Sequence, residues 1–249
     1  MDDNQLQVNS FKTQEIVAGE ASASSSLDWY REAHGIRSTI EVATALRHLA
    51  LAPDLTVLDA GAGVGRVTLE LAPHAKAVVA VDISRANVNQ LLKHAGQRRL
   101  ENISVLAADL NELSFEEGSF DRAVAVEVLQ HIPSASLRED AATRICHALR
   151  SKGIFVTINN KWEPDAQSPK EGTYADGRYR VCFSPSEMTD LLRRAGFSEV
   201  AVRGCVSLPY RLGPFTRFAP RLAVALDVWF SSRKISVATG QFLLAIAVK

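Results

Sequence analysis

The stretch Val57-Leu-Asp-Ala-Gly-Ala-Gly-Val-Gly-Arg-Val67 limits the choice of fold more than any other part of the chain. Leu55 to Leu58 is a short apolar run, as expected of a strand buried on both faces of a parallel sheet. Asp59 follows, then Gly61, Gly63 and Gly65, then a helical pattern from Arg66 to Leu71. Strand, glycine turn and helix together let a nucleotide-like ligand lie against bare backbone at a helix N-terminus. Glycine suits the turn because a Cβ would block that approach, and because the turn can demand a positive φ.

The same strand-then-acid pattern repeats downstream. Ala77 to Val81 is a second buried strand ending at Asp82. That acid lies about 20 residues past the turn, where α/β nucleotide binders place a carboxylate for ribose hydroxyls. Its alternative is a helix N-cap, with Ser84 competing for the role. Arg85 to Gln97 reads as a helix, Ile103 to Ala107 as a third strand running into Asp109-Leu110, and Phe120 to Val126 as a fourth, running into Glu127-Val-Leu-Gln-His131-Ile-Pro133. Ser134 or Ser136 caps a helix to Leu149, and the turn Ser151-Lys-Gly153 leads into a fifth strand, Ile154 to Ile158. Asp59, Asp82, Asp109 and Glu127 thus mark one edge of an open α/β sheet, the edge at which such sheets bind ligands.

The glycine spacing narrows the choice. A dinucleotide fingerprint counted from Gly61 requires its third glycine at position 66, where the chain has Arg66. Here the third glycine comes one position early, and an acid sits two residues before the first. This Asp-x-Gly-x-Gly-x-Gly resembles motif I of the class I S-adenosylmethionine (SAM) methyltransferases. Phe120-Asp-Arg-Ala-Val-Ala-Val-Glu-Val-Leu-Gln-His-Ile132 is similar to motif IV of their small-molecule group, which includes the ubiquinone and menaquinone methylases. The resemblance covers residues 53–204. It implies a doubly wound, mostly parallel seven-stranded Rossmann-like sheet whose last strand is reversed. It also implies SAM as cofactor and S-adenosylhomocysteine as product. Asp59, Ala60, Gly61, Gly63 and Gly65 would form the cofactor turn, Asp82 and Ile83 the ribose site, and Asp109 and Leu110 the adenine site. Glu127 would complete the cofactor-binding set.

The flanks carry acceptor recognition on this reading. Residues 1–50 form an N-terminal helical or lid segment, and 51–249 the methyltransferase domain with an insertion at 205–239. Ala18 to Ser26 is low-complexity, and Leu27 to His34 is either a lid or a helix packed on the sheet. Gly35 breaks it, and Ile36, Ile40, Ala43, Leu46 and Leu49 then follow at helical spacing up to Pro53-Asp54. Asn159 to Tyr179 reads as a long loop containing Trp162 and Tyr174. Ser184-Pro-Ser-Glu187 opens a helix with a capping box, stopped at Gly196. Val200 to Val202 and Gly240 to Val248 are the last two strands. The insertion holds a helix with Phe218, Leu222, Ala225 or Leu226, Trp229 and Phe230 on one face, expected to pack on the core in preference to a membrane or partner. Tyr30, His34, Trp162, Tyr179 and Tyr210 are the candidate substrate-binding residues. His131 is the candidate general base, its alternative being a histidine hydrogen-bonded at the start of the next helix.

Composition excludes other classes. With 28 basic and 28 acidic residues the net charge is zero, which gives no electrostatic reason to expect nucleic acid. Cys146, Cys182 and Cys205 lack C-x-x-C spacing and read as reduced packing residues, with no metal site. The N-terminus has no signal-peptide core, and no apolar run reaches about 18 residues, so a cytoplasmic protein without stable membrane insertion is expected. No pattern sets an oligomeric state. Motif IV lacks the Asn/Asp-Pro-Pro-Tyr/Phe that accompanies methylation of amide or base nitrogens. The expected activity is transfer of a methyl group to a small-molecule acceptor, a hydroxyl of a metabolite or natural product. The alternatives are an N- or C-directed methyltransferase, or a SAM-binding regulatory protein without turnover.

Overall fold

Successive residues of a strand point to opposite faces of its sheet, and here both sets are apolar, so the sheet must be covered on both sides. The computed structural model describes residues 27–163, 170–174, 179–207, 218–233 and 236–249, with side chains from Gly35 onward. Its strands are β1 (Thr56–Ala60), β2 (Ala77–Asp82), β3 (Ile103–Ala107), β4 (Phe120–Val126), β5 (Leu149–Asn160), β6 (Glu171–Thr173), β7 (Tyr179–Val181), β8 (Glu199–Cys205) and β9 (Phe242–Val248). Its helices are α1 (Leu27–Leu49), α2 (Thr68–Leu71), α3 (Arg85–Gln97), α4 (Ala135–Ala148), α5 (Pro185–Arg194), α6 (Pro220–Ser231) and α7 (Ser236–Thr239). Seven strands form one sheet in the order β3-β2-β1-β4-β5-β9-β8, and β6 pairs with β7 as a separate ribbon. β1 to β5 run parallel, while β9 runs antiparallel to both β5 and β8. The doubly wound sheet with a reversed last strand is as the sequence implies.

Leu58, Ala123, Ala125, Phe155 and Leu243 point to one face, where they meet Ala141 and Ile145 of α4 and Met188 and Leu192 of α5. Their neighbours Val57, Val124, Val126, Val156 and Leu244 point to the other, where they meet Ile40, Ala45 and Leu49 of α1. Beside that second cluster, Leu91 and Ala95 of α3 close over Leu69 and Ala80. From Gly35 onward α1 is therefore part of the core. Gly35 itself has φ 48° and ψ −129° and kinks the helix, the break its position predicts.

Winding changes direction between β1 and β4. The chain moves outward through β2 and β3, then returns to pair β4 against the other side of β1. The crevice above that switch point is where open α/β sheets bind ligands. Asp59, Asp82, Asp109 and Glu127 all lie at this end of their strands.

Four expectations need correction. β1 extends to Ala60, so Asp59 is a strand residue, buried to 1% exposure. β5 starts at Leu149 instead of Ile154, because the 151–153 turn bulges out between the pairs Phe120–Leu149 and Arg122–Ile154, with Lys152 at φ 62°. Part of the expected 159–179 loop lies in strands, since β5 continues to Asn160 and β6 supplies a partner for β7. Finally, α6 does not pack its apolar stripe on the core. Ala223, Asp227 and Ser231 are its buried residues, and Phe218, Leu222, Leu226 and Trp229 face outward. The reason is polar. Val206, just past β8, has φ 58°, and both its N–H and that of Ser207 donate to the Asp227 carboxylate, at 3.0 and 2.8 Å.

Candidate functional site

The turn after β1 is tied to the end of β2. The N–H groups of Gly61 and Ala62 both donate to the Val81 carbonyl, at 2.7 and 2.9 Å, and Gly65 donates back to Ala62 at 3.0 Å. Gly61, Gly63 and Gly65 have φ of 80°, 56° and 94°. A Cβ on Gly61 would lie 2.3 Å from Val128 Cγ2, and one on Gly65 would lie 2.3 Å from Leu91 Cδ1. A Cβ on Gly63 would meet nothing within 4 Å. Two of the glycines thus serve packing, and the middle one faces open space at the sheet edge.

Asp82 stands beside that opening. Its Oδ2 accepts from the Gly63 N–H at 2.7 Å, and its Oδ1 accepts from the Ser84 N–H and the Asn87 side-chain amide, both at 3.0 Å. The N-cap of α3 is Ser84, whose hydroxyl accepts from the Asn87 N–H at 3.3 Å. The competition between the two roles is thereby resolved: Ser84 caps, and the Asp82 carboxylate is held against the glycine turn. Ile83 is half-buried next to it. One strand over, Asp109 is half-buried and its Oδ1 accepts from the Asn111 N–H at 2.9 Å. Leu110 packs against the core, while Leu106 of β3 is 40% exposed on the same edge.

Asp59 plays a different part. Its wholly buried carboxylate accepts the Thr68 hydroxyl at 2.6 Å and so pins the first residue of α2 to β1. Burial pushes its pKa from 3.8 up to about 6, with the Thr68 hydroxyl opposing. Ala60 is fully buried behind the turn.

At the end of β4 the chain turns sharply, with Glu127 at φ 60° and its N–H donating to the Ile158 carbonyl at 2.7 Å. A non-glycine residue in this region is uncommon and strained. The turn aims Glu127 at two arginines, Arg37 of α1 and Arg66 of the glycine turn, the latter at 3.4 Å. Both arginines also pair with Glu41, at 2.7 and 2.6 Å. Arg37 lies 4.2 Å over the Phe242 ring. Burial, aided by the nearby Glu127 charge, pushes the Glu41 pKa up, against the pull of both guanidinium groups. Two cations and two anions therefore interlock α1, the glycine turn and the end of β4. Arg37 and Glu41 escape a motif search, although their i, i+4 spacing on a helix is a local signal.

His131 closes a short 3₁₀ turn, Leu129–His131, beyond Glu127. Its Nδ1 lies 2.9 Å from the Tyr179 carbonyl, an acceptor, so the proton sits on Nδ1. Gln130 agrees with that tautomer. Its Oε1 accepts from the Asn160 N–H at 2.7 Å, which turns its amide Nε2 toward His131 Nε2 at 3.3 Å. The Tyr179 hydroxyl donates to the Pro133 carbonyl at 2.9 Å and also meets Glu171. Burial first, and then Glu171, push the Tyr179 pKa up to about 12. The β6–β7 ribbon and the His131 turn are thus one assembly. Trp162 joins it through its N–H on the Phe183 carbonyl at 2.9 Å, and Lys170 Nζ lies 5.0 Å over its ring. The side chains of Tyr30 and His34, and all of Tyr210, lie outside the described residues.

A methyltransferase-domain family model matches residues 57–153, from β1 to the middle of β5 and so through all four acids. The chain is 28% identical over 158 residues to the ubiquinone biosynthesis O-methyltransferase of Coxiella burnetii, covering 59% of this chain and 65% of that protein. It is 30% identical over 174 residues to the O-methyltransferase cnsE of Penicillium expansum, covering 69% of this chain and 61% of that protein. Each match spans less than two thirds of the relative's own length. Among solved structures, phosphoethanolamine N-methyltransferase 2 of Haemonchus contortus, in complex with SAM, has the same fold, with a TM-score of 0.64 at 18% identity over 84% of this chain and 52% of that one.

Proposed function

Because the chain belongs to the class I SAM-dependent methyltransferases, we propose that it methylates a hydroxyl of a small, partly apolar metabolite or natural product. The observation that carries the cofactor half is the bare face of Gly63 beside the Asp82 carboxylate. Bound SAM supplies a methyl group on a sulfonium, already activated for displacement. The Asp82 oxygens suit two adjacent ribose hydroxyl donors, and Asp109 suits the exocyclic amine, with Leu106 offering apolar surface to the ring. Glu127, held between Arg37 and Arg66, sets an acid beside two bases, which is what a zwitterionic amino-acid end requires.

Positioning can supply much of the acceleration in a displacement of this kind. An alcohol or phenol acceptor also has to lose a proton, and His131 is the residue we assign to take it. Its tautomer leaves the lone pair on Nε2, where the Gln130 amide contact, at 3.3 Å, is long enough for a hydroxyl to displace. The two O-methyltransferase relatives support a hydroxyl acceptor.

The test is methyl transfer from labelled SAM to a panel of phenols, catechols and amines. Turnover of hydroxyl acceptors is expected, with His131→Asn lowering kcat by about 10²–10⁴-fold and removing the acidic limb of the pH profile. Turnover of amines alone would reassign the acceptor, and an unchanged pH profile in His131→Asn would reduce that residue to a bridge between β4 and β7.

A further inference from the structure

Helix α6 turns its apolar side outward. Phe218 is 86% exposed, Trp229 53%, Leu222 51% and Leu226 38%. Leu222, Leu226 and Trp229 recur at helical spacing along one side, with Ala225 exposed among them and Phe218 two residues ahead of the helix. The opposite side is fastened down by Asp227 on the Val206 and Ser207 N–H groups, and by Ser231 at 3.4 Å from His48 of α1. Hydrogen bonds thus fix the stripe in its outward setting. A contiguous apolar patch held this way marks an interaction surface.

Charge identifies what the surface meets. Among the described residues of the 205–239 insertion the cations are Arg221 and Arg233 and the acid is Asp227, in a chain whose net charge is zero. That acid is buried, whereas Arg221 and Arg233 are exposed, the latter 4.3 Å over the Trp229 ring. The outward side of α6 therefore offers Leu and Trp, with Phe218 just ahead of the helix, and the charged side chains flanking it among the described residues are the cations Arg221 and Arg233. We propose that this face docks on an anionic lipid surface, with α6 lying in the interface plane. Aromatic and leucine side chains sink into the headgroup boundary while arginines stay at the phosphates. A protein partner is a poorer fit, because specific interfaces carry about one hydrogen bond per 100–200 Å². On this face the Trp229 indole N–H and, at the helix end, the Ser232 hydroxyl are the neutral side-chain hydrogen-bonding groups, few for a protein interface. No helix among the described residues is long and apolar enough to cross a membrane.

The experiment is co-sedimentation of the full chain with vesicles of phosphatidylcholine alone or mixed with phosphatidylglycerol. Pelleting is expected with the mixed vesicles and should weaken as salt is raised. The double variant Leu222→Glu, Trp229→Glu should lower vesicle affinity by about tenfold or more, with its thermal midpoint little changed because both side chains are exposed. A second double variant, Arg221→Gln with Arg233→Gln, should lose the preference for anionic vesicles. Absence of pelleting with either vesicle, or equal pelleting of wild type and both variants, overturns the proposal. So does a wild-type dimer in the ultracentrifuge, without vesicle binding, that the Glu variant dissociates, since the face would then join two copies of the chain.

Discussion

Gly61, Gly63 and Gly65 share a positive φ but have different neighbours, and substitution should separate them. Alanine at 61 or 65 meets both a strained backbone and a collision with Val128 or Leu91, together costing about 2–6 kcal/mol. Alanine at 63 meets the strain alone, about 1–2 kcal/mol, but places a methyl group in the proposed cofactor site. Denaturant unfolding and a SAM titration check this: Gly63→Ala should remain folded and lose binding, and a Gly63→Ala protein that binds normally would move the cofactor elsewhere. Asp59 makes a second prediction. Its folded pKa, about 6, is raised above its usual 3.8, so the folded state holds the proton across that interval and the unfolded state does not. Its contribution therefore favours folding most below about pH 4 and declines as pH rises to about 6. The difference in unfolding free energy between wild type and Asp59→Asn, followed across that range, should show this slope, and a flat difference would contradict it.

At the scale of elements, α1 is held to the site by charge as well as by packing. Glu41 is fully buried between two guanidinium groups, and removing it leaves two cations to share the single Glu127 carboxylate. Glu41→Ala is therefore expected to cost about 3–5 kcal/mol and to loosen α1. Amide exchange along α1, measured beside that of α4, would show it, and uniform protection in the two helices would not fit. This network was not legible in the sequence, because its members lie 90 and 61 residues apart along the chain and only the sheet topology brings them together. The helix α5 was legible to the residue, because a capping box is a four-residue device: Ser184 and Glu187 close it as their spacing predicts. Between these cases stands α6. Its period was readable and its orientation was not, because a helical stripe states that one side is apolar and leaves open which side is buried. Asp227 settles that by taking two backbone N–H groups that only the fold places within reach.

For the whole molecule, the order β3-β2-β1-β4-β5 puts the ends of β1 and β4 side by side, so the acids at the ends of four strands fall along one edge. That arrangement follows from buried strands alternating with helices, which is why glycine spacing and strand-end acids alone were enough to read the fold. The proposed acceptor site rests on the β6–β7 ribbon and on contacts between residues distant in sequence, such as His131 with Tyr179, which no local pattern announces. The central claim is that the glycine turn and Asp82 hold SAM. Its most direct test is thermal unfolding of the pure protein and of Asp82→Ala with SAM, S-adenosylhomocysteine or NAD present at about 100 times the expected dissociation constant. Binding at that excess stabilises by about 2.7 kcal/mol, a shift of about 5–10 °C for a chain of this size. That shift is expected with both adenosyl ligands in the wild type, none with NAD, and none with any ligand in Asp82→Ala. A shift with NAD alone, or an undiminished SAM shift in Asp82→Ala, would contradict it.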